Sequence, residues 1–273
     1  MHLRVPRPPL DAHIELFWHY PGEPLPAHRH ERVLPNGTVT ILFPIPEAPI
    51  GIYDSTTLAP TAAARGALIS GPQVSSFAID TTLRTSIIGV HFKPGGASAV
   101  LGVPLHVLLG KHVALEDVWG SFAADLLDQV RSTRDPVERL ARLERGVVAR
   151  TRGAPGPGTI PGAVLYGLNA FRANVESARI DDVARDIGLS TRRLSQLFRD
   201  WVGMPPKRYA RLLRLQSALA MAAPEVGWGR VAHACGYFDQ SHFINEFHAI
   251  TGTHPHRYFA ERTAETNHLI LAG

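Results

Sequence analysis

One segment of this chain occurs twice. The first copy runs Val183-Ala184, Gly188, Leu194, Phe198, Gly203, Pro206, Tyr209, and the second runs Val231-Ala232, Gly236, Phe243, Phe247, Gly252, Pro255, Tyr258. The step from alanine to glycine is four residues in both, and from Leu194 or Phe243 onward the spacing is identical. The copies differ only in the turn, where the second is longer by one residue. Such a repeat constrains the fold more than any composition figure, because each copy has to form the same supersecondary unit.

The residues at these positions say which unit it is. Val183, Ala184 and Ile187 share one face of a short helix, and the small alanine lets a second helix cross close over it. Gly188 suits the turn because glycine tolerates positive φ. Ser190 caps the next helix, which Leu194, Leu197 and Phe198 anchor to the first. In the second copy Val231, Ala232 and Cys235 form the inner face, Gly236 makes the turn, Asp239 caps, and Phe243 with Phe247 anchors. Each copy reads as a helix-turn-helix, whose second helix lies in a DNA major groove. The units fall at about 180–203 and 228–252. Gly203 and Gly252 end the second helices, and Pro206 and Pro255 start new ones where proline is tolerated. The helix from Pro206 to about Ala222 is expected to bury Tyr209, Leu212, Leu213, Leu219 and Ala220. At ~1.5 Å per residue it spans roughly 25 Å, enough to hold two recognition helices in successive grooves.

Gly153-Ala-Pro-Gly-Pro-Gly-Thr-Ile-Pro161 can neither continue a helix nor pair in a central strand, so 153–161 reads as a linker. It divides a β-rich domain, 1–152, from a domain over 162–273 that is helical throughout. The class is α+β, with a cupin-like barrel one form open to the first domain. Asn36-Gly37 signals a turn, and strands are expected over Thr38–Phe43, Ile50–Asp54, Ala67–Ser70, Phe77–Thr81 and Ser86–Phe92. Helical periodicity follows over Glu116–Val130 and Asp135–Arg150. Both helices carry apolar stripes flanked by arginines. They are expected either to join two copies of the chain or to pack on their own sheet.

Other chemistries are weaker. The single cysteine, Cys235, excludes an internal disulfide and sits at a buried helix position, poor for a nucleophile. No apolar run reaches the roughly 18 residues needed to span a bilayer. The first residues lack the apolar core of a secretory signal, so a cytoplasmic protein is expected. Gly22, His28 and His30 resemble the opening of a cupin metal motif, but Leu34-Pro35 stands where its glutamate belongs. The stretch reads better as a proline-flanked surface loop, with a cupin-like metalloenzyme fused to a DNA-binding module as the alternative. There is no glycine-rich phosphate loop. No enzyme, cofactor or metal is expected.

Net charge is +4, but its placement matters more: Arg192, Arg193, Arg199, Lys207, Arg208, Arg211 and Arg214 are opposed only by Asp200. Phosphate neutralisation supplies much of nucleic-acid affinity. With the anchors facing inward, Arg192, Ser195 and Gln196 are placed to read bases. Arginine pairs bidentately with guanine, and glutamine with adenine. The second recognition helix offers Gln240, Ser241 and Asn245 by the same geometry. Arg193, Arg199, Lys207, Arg208, Arg211 and His242 are assigned to phosphates. Trp201, Tyr209 and Tyr237 are read as core.

The stretches Asp182-Val-Ala-Arg-Asp-Ile-Gly-Leu-Ser-Thr-Arg-Arg-Leu194, Pro206–Ala218, Gly236-Tyr-Phe-Asp-Gln-Ser-His-Phe243 and Gly252-Thr-His-Pro255 resemble the AraC/XylS family of transcription regulators. His248-Ala249 departs from the basic residues common there. Gly71-Pro and Phe92-Lys-Pro-Gly-Gly96 look like pieces of the β-rich sensor domains that precede such modules. The resemblance implies a DNA-binding regulator, an activator of transcription, whose outward residues above are the family's base-reading positions. Its implied partners are double-stranded operator DNA, RNA polymerase, a small-molecule effector and a second copy of the chain.

Overall fold

The computed structural model describes residues 1–22, 26–47, 49–83, 86–153, 159–265 and 267–271. Ahead of the first long helix run β1 (His2–Arg4), β2 (Ile14–Tyr20), β3 (His30–Val33), β4 (Thr40–Pro44) and β5 (Ile50–Asp54). Then come β6 (Pro60–Ala64), β7 (Leu68–Ser70), β8 (Phe77–Asp80), β9 (Ile87–Phe92) and β10 (His112–Ala114), with α1 (Ala97–Leu101) before β10. One antiparallel sheet has the order β1-β2-β9-β4-β7-β10. Alternation gives it two faces. Phe17, Ile41, Phe43, Ile88, Val90 and Phe92 are fully buried on one face, and Leu16, Trp18, Thr40, Leu42 and His91 line a cavity on the other. Gly89 is required here: a Cβ would stand 2.3 Å from the Trp18 ring, which lies across it.

The buried face is covered by α2 (Glu116–Trp119), α3 (Ser121–Arg131) and α4 (Pro136–Gly153), together with α1. The expected helix over Glu116–Val130 is broken at Gly120, whose φ of +62° only glycine adopts without strain. Trp119, Leu126, Val130, Leu140, Leu143 and Val147 are all buried in this core. Of the two arrangements open to these stripes the structure has the second, with their own sheet covering them, and the one in which they join two copies is corrected.

The linker's residues 154–158 lie outside the described residues. Beyond them follow α5 (Gly162–Ala173), α6 (Ile180–Asp186), α7 (Thr191–Val202) and α8 (Pro206–Met221). Then come α9 (Trp228–Ala234), α10 (Gln240–Thr251) and α11 (Pro255–Glu261). The chain does not stay helical. Its last described residues form β11 (His268–Leu271), which pairs antiparallel with β3 and completes the second sheet, β11-β3-β8-β5-β6. Leu269 of β11 and Leu34 after β3 are buried in the core of the helical part. The linker does not keep the two halves apart, because apolar residues from both fill one core. His28 and Arg29 form a bend, with Arg29 exposed, that leads into β3 at His30. Glu31 is 1% exposed, and its carboxylate lies 2.7 Å from both His28 Nε2 and His268 Nδ1.

Candidate nucleic-acid interface and ligand cavity

Both recognition helices are built as the repeat dictates. Ser190 accepts a hydrogen bond from the Arg193 amide (3.2 Å) at the start of α7, and Asp239 accepts from the His242 amide (2.7 Å) at the start of α10. Gly203 and Gly252 end the two helices in the left-handed conformation. Leu194 and Phe198 are fully buried against Val183 and Ala184; Phe243 and Phe247 occupy the same places against Val231 and Ala232. With these residues inside, Arg192, Arg193, Gln196 and Arg199 are exposed on α7 and Ser195 is half-buried. On α10, Gln240, Ser241, His242 and Asn245 are exposed, and Lys207 and Arg208 stand exposed at the start of α8.

The outward faces are not idle in the free protein. Gln196 donates its amide to both carboxylate oxygens of Asp200 (3.0 and 3.1 Å), and Asp200 in turn lies 3.2 Å from His106 Nδ1 of the first domain. The Gln240 amide folds back over Gly229 of α9. Both glutamine side chains are thus folded onto their own surroundings. Arg211 is half-buried and donates to Glu246 Oε2 at 3.1 Å. Arg214 at 3.7 Å and His242 at 3.8 Å converge on the same carboxylate. Glu246 is 8% exposed and ties α8 to α10. Nothing in the sequence marked it except its i+4 spacing from His242. Of the residues expected in the core of α8, Ala220 is exposed, while Leu215 and Ala218 are buried in its place. Tyr209 and Tyr237 are buried and Trp201 half-buried, as core aromatics should be.

Between the two sheets lies a cavity of about 430 Å³, within the range of small-molecule sites. Its apolar wall includes Leu16, Trp18, Leu42, Ile52, Phe77 and Ile79. Its polar lining includes His91, whose imidazole is 3.0 Å from Thr40 Oγ1 and 3.3 Å from Thr38 Oγ1. Burial lowers the pKa of His91 and takes that of His112, also in the lining, down to about 4. Among the described residues no group of three His, Cys, Asp or Glu side chains is arranged to hold a metal. None of their helices is long and apolar enough to cross a membrane.

Two capped recognition helices on one connecting helix, with polar and basic outward faces, define a DNA-binding transcription regulator. Residues 183–261 match the family described as a helix-turn-helix domain, here of the AraC type, and residues 2–114 match a domain of unknown function (DUF6597). The chain thus carries a helix-turn-helix domain of the AraC type over residues 183–261, the kind found in transcription regulators. No curated protein sequence matches it. Among solved structures it is similar to ToxT from Vibrio cholerae O395, at 9% identity over 91% of this chain and 97% of that one, with a TM-score of 0.49. An AraC-type regulator from Chromobacterium violaceum aligns at 25% identity over 37% of this chain and 93% of its own, with a TM-score of 0.35. The C-terminal domain of AraT from Geobacillus stearothermophilus aligns at 18% identity over 39% and 91%, with a TM-score of 0.36.

Proposed function

We propose that this regulator reads two successive major grooves of one operator and answers to a small molecule held by its first domain. The observation that supports the groove reading is the matched pair of outward faces. Each opens with a capped helix start and offers amide, hydroxyl or guanidinium groups where the buried anchors leave them exposed. Arg192, Ser195 and Gln196 take one groove and Gln240, Ser241 and Asn245 the next. Arg193, Arg199, Lys207 and Arg208 neutralise phosphates, and Arg211 and His242 present the ring and guanidinium nitrogens that Glu246 leaves open. The effector reading rests on the cavity between the two sheets. In this reading the protein acts on chromosomal DNA in the cytoplasm, alongside RNA polymerase, and catalyses no reaction.

The test is substitution at base-reading positions. Arg192→Ala and Gln240→Ala should each weaken binding to a selected operator by roughly 1–3 kcal/mol and leave random-sequence DNA nearly untouched. Equal losses on both DNAs would turn these residues into backbone contacts and overturn the assignment of faces.

A further inference from the structure

The hydrogen-bond directions in the cavity say what kind of molecule it accepts. The Thr38 hydroxyl donates to Asn36 Oδ1 at 2.8 Å, so its oxygen has to accept from His91 Nε2–H. That leaves the lone pair of His91 Nδ1 for the Thr40 hydroxyl, which donates to it at 3.0 Å. The chain Thr40–His91–Thr38–Asn36 is therefore closed with a neutral imidazole, and burial opposes adding a proton to it. From this chain the two threonine oxygens keep lone pairs for the cavity, and the Asn36 amide keeps its N–H groups. Gln73 adds to the lone pairs: its amide nitrogen already donates to the Gly71 and Lys111 carbonyls, leaving its side-chain oxygen as an acceptor. Among the described residues that line the cavity there is no lysine or arginine, while Asp80 and Glu265 are there. Met1 reaches the rim but is 65% exposed, so its ammonium stays in water. An anion entering this space would lose its hydration and meet only neutral donors, such as the Trp18 indole and the Asn36 and Asn267 amides, with no lysine or arginine to balance its charge beside Asp80 and Glu265.

The loop that carries this polar end has a second side. Leu34, Pro35, Asn36 and Thr38 line the cavity. Between them, Gly37 turns with φ of +73° and rests on Leu212 of α8, whose Cδ1 is 3.1 Å from where a Cβ would stand. The Pro35 carbonyl accepts a hydrogen bond from Gln216 Nε2 of α8 at 2.9 Å. One short loop thus touches both the cavity and the helix that spaces the two recognition helices.

Resting on the reading of a ligand-responsive regulator, we propose that the cavity binds a largely apolar molecule that carries a hydrogen-bond donor and no negative charge. Its donor engages Thr38 and Thr40, and its presence reaches α8 through the Leu34–Thr38 loop. The differential contact this requires is the one between the ligand and the loop.

Three matched probes test the chemical class on the full chain by calorimetry: 4-butylbenzyl alcohol, 4-butylbenzylamine and 4-butylbenzoate. The alcohol and the amine should bind at least about tenfold more tightly than the benzoate. An advantage of amine over alcohol would place Asp80 or Glu265 at the donor, and the reverse would place the threonines there. Thr40→Val and Thr38→Val, checked for unchanged melting, should each weaken the alcohol several-fold. Benzoate binding as well as the alcohol, or no probe binding at about 1 mM, would overturn the assigned class. For the coupling, affinity for a selected operator is measured with and without the alcohol, in the native chain and in Gln216→Leu. The expected result is a change in the native chain that Gln216→Leu abolishes while still binding the alcohol. Tight alcohol binding with no effect on DNA in the native chain would sink the ligand-responsive reading and leave the ligand class standing. A full response in Gln216→Leu would sink only the loop's role.

Discussion

The two helix-turn-helix units share one spacing and one set of caps, yet the rest of the molecule grips them by different means. The first is gripped by apolar contact. A Cβ on Gly203, at the end of α7, would stand 2.6 Å from the Pro72 side chain and 3.2 Å from Leu105, and the polar link beside it is the exposed His106–Asp200 pair. The second is gripped by hydrogen bonds. Ser76 donates its hydroxyl to the Thr251 carbonyl (2.9 Å) and its amide to the Ile250 carbonyl (3.1 Å), satisfying acceptors that the end of α10 leaves open. The turns differ too. Gly188 has open space around it, whereas Gly236 lies against the backbone of Glu176, between α5 and α6. A repeated pattern fixes local geometry, and residues outside the repeat decide how each copy is held.

The turn glycines give the sharpest test of that contrast. Both have positive φ, +66° at Gly188 and +73° at Gly236, so alanine strains either one by about 1–2 kcal/mol. At Gly236 the new Cβ would also stand 2.5 Å from the Glu176 Cα, and backbone cannot step aside as a flexible side chain can. Gly236→Ala should therefore cost on the order of 3 kcal/mol in urea unfolding of the full chain, and Gly188→Ala roughly half of that or less. Equal costs would break the comparison, and would mean that the Glu176 loop yields.

What the sequence made legible follows the same division. Caps, turns and anchors act within about a dozen residues of one another, and Ser190, Asp239, Gly203 and Gly252 all stand where the repeat puts them. The strands Ile50–Asp54 and Phe77–Asp80 were visible from turns and alternation. The partners of a strand are not local, and there the reading failed. His268 meets Glu31 across 237 residues of sequence, and a run of four residues after a helical region carries no period that announces a strand. The histidines of His28-Arg-His30 pointed to a metal loop or a surface loop, because nothing nearby reveals that Glu31 is buried between His28 and His268. The outward residues of α7 and α10 were placed by which neighbours had to be inside. Glu246 was missed because its partners Arg211 and Arg214 lie on another helix.

Acid tests whether the two grips depend on the same support, since Pro72, Leu105 and Ser76 all belong to the first domain. Burial takes His112 and His19 to about 4, with Arg139 adding to the effect at His19. In the unfolded chain both accept protons near 6.5, so below that pH the unfolded state binds more protons and stability falls. The loss runs from about pH 6.5 down to about 4 and then levels off. At one unit below 6.5 each imidazole should contribute on the order of 1 kcal/mol. His112→Phe should remove its share of the drop between pH 7.5 and about 5.5 in urea unfolding. Hydrogen exchange at the ends of α7 and α10 should accelerate together. Acceleration at only one would show that the grips rest on separate supports.

The smallest effect separates the two grips most directly. Ser76→Ala removes a half-buried hydroxyl from the Thr251 carbonyl and from its contact with Ser55 Oγ at 2.9 Å, which should cost about 1 kcal/mol. His106→Ala removes a pair whose side chains are 44% and 32% exposed, and solvent-screened pairs of that kind are worth roughly 0–0.5 kcal/mol. The global difference is slight, so the decisive readout is local. In Ser76→Ala, exchange should quicken at Thr251 and Thr253, where the end of α10 loses a partner outside its own unit. In His106→Ala, exchange at Val202 and Gly203 should stay as it was, because Pro72 and Leu105 still cover them. If His106→Ala loosens α7 as much as Ser76→Ala loosens α10, the first unit is held by charge as well as by packing. The contrast between an apolar grip and a hydrogen-bonded one would then have to be given up.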